Sequence, residues 1–428
     1  MRKTLIIGIL GAVACASALP RTENEPVADD NDQPVRIALS TSDGSAQVGG
    51  TGAWRIYNRN SADLVVKGSE NATMRIERRS GGLVVIRENG STTSPKSGPL
   101  HVRATTPGSF VTYEGKRYRG ELVISASNGA LLVVNRLGVE SYLRGVVPLE
   151  IGDRKPGEEA AVEAQAVAAR SYTYIHMGEA GDRPFDMYGS VQDQAYGGVD
   201  AEKAMTDAAV ASTRDMVIKY AGRIINTPYS STCGGSTASV SEVWWRQEDK
   251  PYLRPVSDRI PGTNSYYCDP SPRFRWTSTF TQDQLRTTLE KYIASVTPAS
   301  EPPVTPSPSA AQTSLGRILS FRVNGRTASD RVASVSIQTE RGNYVVKGND
   351  VRFILRTPSG SLLNSTYFTA ETTSDVSGAI ANLVIKGGGY GHGIGMCQWG
   401  AIGRARAGQD YKTILTTYFP GTTVSRVN

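Results

Sequence analysis

The sequence predicts a mixed α+β fold: a β-rich N-terminal region, then an α/β core built around one buried, alanine-rich helix. Two observations carry this. Between Val35 and Val134, short Val/Ile/Leu-rich runs (VRIALS, LVVKG, GLVVIRE, ELVISAS, ALLVVNRL) are punctuated by Gly, Asn, Ser and Asp, as strands are by turns. From Glu158 the chain reads EEAAVEAQAVAARSYTYIHMG, with no charge on any face from Ala164 to Ala169. A helix of that kind is buried on most sides and packs closely on its neighbours.

The elements follow in order. Arg2 and Lys3 precede an apolar run from Leu5 to Ala14, and Ala16-Ser17-Ala18 then fits a signal-peptidase site, so residues 1–18 read as a signal peptide. The run is too short to span a bilayer, and no later run is long enough to act as a transmembrane segment. Ala12-Val13-Ala14-Cys15 is a loose lipidation motif, so the exported chain is expected in the periplasm or cell wall, soluble or lipid-anchored through Cys15. Residues 19–34 are polar and acidic and read as a flexible leader. Residues 35–135 form the β-rich region. Residues 136–295 open the core. VVPLEIG is placed at a strand-to-loop boundary, and Pro156-Gly157 breaks the chain before the alanine-rich helix. Asp200–Thr213 reads as a second helix with Asp200 as N-cap. MVIKYAGRIINTPYSS reads as a hairpin turning at Ala221-Gly222, and Thr281–Ser295 as an amphipathic helix with Leu285, Leu289 and Ile293 inward. Residues 296–314, with five prolines, read as a linker or insertion. Residues 315–428 complete the core. Strands RILSFRVN, VASVSIQT and NYVVKG lead to the run GGGYGHGIGMCQWGA (387–401), then to helices at 401–407 and 411–418.

Net charge is +7. There is no Lys/Arg block and no RNA-binding aromatic motif, so nucleic acid is not expected as a partner. Diffuse positive charge suits a polymer carrying carboxylates or phosphates. Apart from Cys15 the chain holds Cys233, Cys268 and Cys397. One disulfide plus a free thiol is the default in an oxidising compartment, with Cys233 and Cys268 the candidate pair. A zinc site of three Cys and a His is the alternative, although no CxxC spacing supports it. No cofactor is otherwise expected.

Glu150 is the first candidate for chemistry. Val146, Val147, Leu149 and Ile151 surround it, and a carboxyl among aliphatic neighbours has a raised pKa and can donate a proton near neutrality. A solvated loop carboxylate is the bland alternative. Arg170 sits on an apolar helix face and needs an acceptor, either substrate or a buried carboxylate. Gln194 and Tyr196, in DQAYGG, suit hydroxyl binding and ring stacking, or an ordinary turn. Ser231 and Thr232 lie in a polar turn before Trp244 and Trp245. The glycine-rich run offers Tyr390, His392 and Gln398 from a wall with few side chains of its own. It lacks the GxGxxG context and the Lys-Ser/Thr of phosphate loops, and GxSxG and HExxH are absent.

YLRGVVPLEIG, EAQAVAARSYTY, DQAYGG, YSSTCGGSTASVSEVW, PYLRPVSD and GYGHGIGMCQWGAIGRARAG…YKTILTTYFPGT occur in this order. Together they resemble the stage II sporulation protein D (SpoIID) / LytB amidase-enhancer family over roughly residues 35–428. The resemblance implies a mixed α/β fold acting on peptidoglycan glycan strands. Its characterised members are lytic transglycosylases that cut the glycan bond after N-acetylmuramic acid and leave a 1,6-anhydro end. The family's catalytic Glu corresponds to Glu150. Arg170, Gln194, Tyr196, Ser231, Thr232, Tyr390, His392 and Gln398 become candidate substrate-binding residues, with His392 expected within reach of Glu150 across a cleft. The alternative implied is a non-catalytic glycan-binding enhancer of an N-acetylmuramoyl-L-alanine amidase. Some members place Cys and His zinc ligands just after the AARSY helix. Here that stretch has His176 but no Cys, so no metal is assigned there.

Overall fold

The computed structural model describes residues 33–59, 63–296, 314–357 and 359–427. The expected signal peptide, Cys15, nearly all of the leader and most of the Pro-rich segment lie outside the described residues.

The fold is α+β, with a β-rich N-terminal region. Its larger sheet has seven strands in the order Met187–Tyr188, Pro34–Asp43, Ala130–Gly138, Glu121–Ser127, Leu100–Ala104, Trp54–Asn58, Leu64–Gly68. All pairings are antiparallel except that of Met187–Tyr188 with Pro34–Asp43. A five-stranded sheet (Gly82–Ile86, Thr73–Arg79, Ser45–Gly50, Val111–Tyr113, Lys116–Tyr118) shares its core. Alternation fixes the register: Ala46 and Val48 point inward while Gln47 stays out. Trp54 is fully buried, and Gly68 makes room for it, because a Cβ at 68 would sit 2.0 Å from the indole.

Eight α-helices are described: α1 Val139–Ile151, α2 Glu159–Glu179, α3 Ala204–Ser212, α4 Val240–Val243, α5 Gln282–Val296, α6 Asp350–Ile354, α7 Gln398–Arg406 and α8 Tyr411–Tyr418. The alanine-rich helix is α2. Residues 164–170 are all buried, and α1, α3, α7 and α8 pack around it. VVPLEIG is not a strand end but the last turns of α1. The buried residues Val139, Tyr142, Leu143, Val146 and Val147 recur with helical spacing, and this stripe against α2 outweighs the β preference of Val-Val. The helix expected at 200–213 starts later, at Ala204. Asp200 does not cap it; its carboxylate binds the Arg117 backbone N–H at 3.0 Å and the guanidinium at 2.7 Å. The hairpin at Ala221-Gly222 is present, with φ of 48° and 77° at its two turn residues.

A second hydrophobic core runs from Phe280 to Ile385 and combines α5, α6 and two three-stranded sheets. One sheet (Ile318–Val323, Ser334–Thr339, Gly342–Lys347) was expected from the sequence. The other orders Arg275–Thr281, Ile380–Gly388 and Phe368–Ser374. Residues 296–314 therefore fall between two halves of this second core. Strand Ile380–Gly388 hands the chain back to the first core through the glycine-rich run. Tyr390 there pairs with Thr232, and Met396–Cys397 runs parallel to Tyr229–Ser230. Glycine is required in the run: Gly395 has φ +71°, and a Cβ there would meet the Pro228 carbonyl at 2.1 Å.

Candidate functional site

Glu150 lies in the last turn of α1, which closes on Gly152. A helix C-terminus disfavours negative charge, and α1 has no basic residue in that turn. The carboxyl is half-buried. Its Oε1 accepts the Ala195 N–H at 2.8 Å, and among the described residues it has no cationic partner. Burial raises the Glu150 pKa, opposed in part by the Ala195 hydrogen bond. Leu149 beside it is 49% exposed, and the partly exposed Trp399 carries the Arg154 guanidinium 5.5 Å from its ring centroid. The arrangement is a carboxyl biased toward its neutral form, with one oxygen fixed by an amide. Chemically it is fitted to give up a proton and take it back.

Two predicted residues converge on Glu150 as supports. Gln398 donates its amide to the Glu150 carbonyl at 3.0 Å and to Gln165 Oε1 at 3.2 Å, so the glycine-rich run does reach the end of α1. Gln194 holds the loop that presents the Ala195 N–H. It is fully buried. Its Nε2 donates to the Ala169 carbonyl (3.3 Å) and the Tyr229 hydroxyl (3.1 Å), and its Oε1 accepts from Tyr142 (3.1 Å) and Thr173 (3.2 Å). With both ends of its amide committed, Gln194 is not placed to bind a sugar hydroxyl.

Other expectations need correction. Arg170 is fully buried and meets Glu140 with two parallel bonds, Nε–Oε1 and Nη2–Oε2, each 2.7 Å, and donates also to the Met216 and Val210 carbonyls. It is an internal ion pair, not a substrate contact. Tyr196 is 8% exposed, its hydroxyl donates to Asn135 at 2.8 Å, and its ring is tilted on Tyr142 at 5.0 Å. It offers no open face for stacking. Thr232 is buried on Ser271 at 2.6 Å, and the Ser231 carbonyl accepts the Trp399 N–H at 3.0 Å. Tyr390 alone of the glycine-rich set is well exposed, with the Arg273 guanidinium 5.0 Å from its ring centroid.

His392 does not face Glu150 through any hydrogen bond or ion pair among the described residues. Its Nε2 meets the Tyr229 carbonyl at 2.9 Å, which accepts from the ring, and its Nδ1 accepts the Ile394 N–H at 3.0 Å. Both nitrogens are used, in the neutral tautomer. Burial, and then the Arg352 charge, lower its pKa to about 4. The link to Glu150 is indirect, through Tyr229, whose hydroxyl reaches Gln194 beside Ala195. Sequence reasoning missed Tyr229, the Ala195 amide and Glu140. A backbone N–H has no side-chain signal, and the partners lie in distant segments.

The disulfide expected between Cys233 and Cys268 is not formed: the sulfurs are 3.6 Å apart, against about 2.05 Å for a bond. Cys397 and Asp258 complete a buried cluster with them.

A model of the stage II sporulation protein family matches residues 127–220, the stretch holding α1, α2, Glu150 and the 193–195 loop. A model of a domain of unknown function matches residues 260–395, which contain the second core. An uncharacterized protein of Brachyspira hyodysenteriae is 28% identical over 93% of this chain and 95% of its own length. The amidase enhancer of Bacillus subtilis is 31% identical over 66% of this chain, but that stretch is only 40% of the enhancer. The stage II sporulation protein D of Bacillus subtilis is 27% identical over 69% of this chain and 76% of its own length. With the motifs in order and α1, α2 and the glycine-rich run assembled into one core, residues 127–220 form a domain of the stage II sporulation protein D family, and the chain around it is similar to the SpoIID and amidase-enhancer proteins of Bacillus subtilis.

Proposed function

We propose that this protein is exported to the cell envelope and there cleaves peptidoglycan glycan strands as a lytic transglycosylase, with Glu150 as its single acid/base. The observation that carries the reading is the state of Glu150: a half-buried carboxyl with raised pKa, at a helix C-terminus, anchored by the Ala195 amide and without a cation among the described residues. An ordinary glycosidase needs two carboxyl groups. Here one suffices. Glu150 gives its proton to the glycosidic oxygen as the bond to C1 of N-acetylmuramic acid breaks. The carboxylate then takes the proton of that sugar's own C6 hydroxyl as its oxygen closes on C1. The products are a 1,6-anhydro end and a free 4-hydroxyl, and no water is consumed.

The enhancer reading has its own support, the 31% identity to a protein named amidase enhancer. Under it the chain binds glycan and stimulates an N-acetylmuramoyl-L-alanine amidase without cutting. Incubation with denuded peptidoglycan and mass spectrometry of the products decides. Anhydro ends made by the native chain and lost in Glu150→Gln support the transglycosylase. Glycan binding with no new ends, together with amidase stimulation that survives Glu150→Gln, replaces it with the enhancer.

A further inference from the structure

The three cysteines converge with an aspartate in the interior of the first core. Cys233, Cys268, Cys397 and Asp258 are each at most 1% exposed, and their ligand atoms all lie within 4.8 Å of one another. They come from three separate segments: the turn after Tyr229–Ser230, the 258–268 loop and the start of α7. Two of the separations are those of tetrahedron edges. With Zn–S near 2.3 Å and Zn–O near 2.0 Å, sulfurs sit about 3.8 Å apart and sulfur to oxygen about 3.5 Å. The observed values are 3.6 Å for Cys233 Sγ to Cys268 Sγ and 3.4 Å for Cys233 Sγ to Asp258 Oδ2.

The surroundings are prepared for anionic sulfur. Cys397 Sγ accepts the N–H groups of Cys233 (3.1 Å) and Gly400 (3.3 Å), and Cys233 Sγ accepts that of Gly235 (3.4 Å). Asp258 keeps Oδ2 toward the cysteines because Oδ1 is held by Tyr418 (2.6 Å) and Arg404 (3.1 Å), as outer partners orient metal ligands. A second, independent observation is Arg331. It is 1% exposed and donates to the carbonyls of Cys233 (3.1 Å) and Ser236 (3.4 Å). Among the described residues its Nε and Nη1 have no hydrogen-bond partner and it makes no ion pair; Glu242 acts on it only from beyond that distance. A buried guanidinium without a counter-charge is strongly unfavourable. Neutral thiols leave it so, and a Cys233–Cys268 disulfide leaves it so as well. Three thiolates and one carboxylate, against a dication, Arg404 and Arg331, leave no net charge.

We propose that Cys233, Cys268, Cys397 and Asp258 form a closed, structural site for a thiophilic divalent ion, zinc by its donor set. Four protein ligands and full burial leave no open position for substrate, which separates such a site from a catalytic one. Binding displaces the thiol protons, so affinity rises with pH. The ion pins the start of α7 to the two loops, and Gln398, the next residue after Cys397, is the one that holds the Glu150 carbonyl. The site stands whether or not the protein cuts glycan.

The test uses the full chain, purified with reductant and without oxygen, stripped by chelator and titrated with Co2+. The expected result is one equivalent bound, with thiolate-to-cobalt charge transfer and the visible bands of a tetrahedral ion, displaced by one equivalent of Zn2+. X-ray absorption of the zinc form should show three sulfurs and one oxygen or nitrogen. Cys268→Ser should abolish the charge-transfer stoichiometry of three. Tyr418→Phe, which frees Asp258 without touching a ligand, should weaken Zn2+ binding about 10–100-fold. The folded native chain failing to bind Co2+ overturns the proposal, whether Cys233, Cys268 and Cys397 count as three free thiols or two of them as a pair recovered by reductant.

Discussion

Replacing Glu140 by Gln should loosen α2 and leave glycan binding intact. The Arg170 guanidinium has no exposure and makes two charge-assisted bonds to this carboxylate, each 2.7 Å. In Glu140→Gln the shape remains, but the charge is uncompensated and a side-chain amide replaces one acceptor. One charge-assisted bond lost and the other weakened, at about 1.5–3 kcal/mol each, bound the cost from above; one-sided removal of a buried pair costs about 3–5 kcal/mol. The remaining bonds to the Met216 and Val210 carbonyls place the expectation at the lower end. Native-state hydrogen exchange read on α2 peptides is the assay, because it isolates the first core from the second. At about 1.4 kcal/mol per tenfold, exchange there should accelerate by two to three powers of ten. The double variant Glu140→Gln/Arg170→Met removes both charges and should recover most of the loss. An acceleration under about tenfold in Glu140→Gln, or lost glycan binding with α2 unchanged, would refute the assignment of Arg170 as an internal ion pair and return it to the substrate.

Three further expectations follow from single groups. Glu150 has a raised folded-state pKa, so its contribution to stability is complete below the ordinary carboxyl value of about 4.3 and is lost as pH rises through the raised value. Glu150→Gln should therefore match the native chain in acid and exceed it in thermal stability at neutral pH; equal stability at both would contradict the burial argument. His392, lowered to about 4, should show no ring titration by NMR between pH 5 and 8, and a midpoint near 6.5 would mean that its bonds to Tyr229 and Ile394 do not persist. Gly68→Ala drives a methyl to 2.0 Å from the Trp54 indole and should destabilise by about 1–3 kcal/mol or more in urea unfolding, whereas Gly44→Ala, with nothing within 4 Å, should stay within about 0.5 kcal/mol.

The sequence reveals local pattern and conceals what distant segments do to one another. The strands between Val35 and Val134 and the alanine-rich α2 are legible because inward and outward residues alternate with the right period. Helix α1 is misread because Val146-Val147-Pro148 looks like the end of a strand, while the stripe that decides it spans 139 to 147 and needs α2 as a partner. Glu150 is legible from its aliphatic neighbours. What tunes it is not: the Ala195 amide, the Gln398 side chain and the Gln194 hub arrive from across the fold. The same holds for the cysteines. Counting finds three, but Asp258, the fourth member of the cluster, has no spacing rule to announce it, and His392 is engaged elsewhere.

Helix α1 sets two glutamates against each other. Glu140 stands in its first turn, where the helix dipole favours an anion, and Arg170 pairs with it in the interior. Glu150 stands in the last turn, where the dipole disfavours an anion, and burial leaves it biased toward the neutral form. Arg170 satisfies the first and, being committed to it, supplies nothing to the second. If the guanidinium faced Glu150 instead, it would hold that carboxyl ionised and remove the proton the proposed chemistry needs. The buried ion pair therefore matters to the site by keeping the one strong cation on α2 at the other end of α1. The same fold feature that makes Glu140→Gln costly for stability leaves Glu150 without this cation, as the proposed acid role requires.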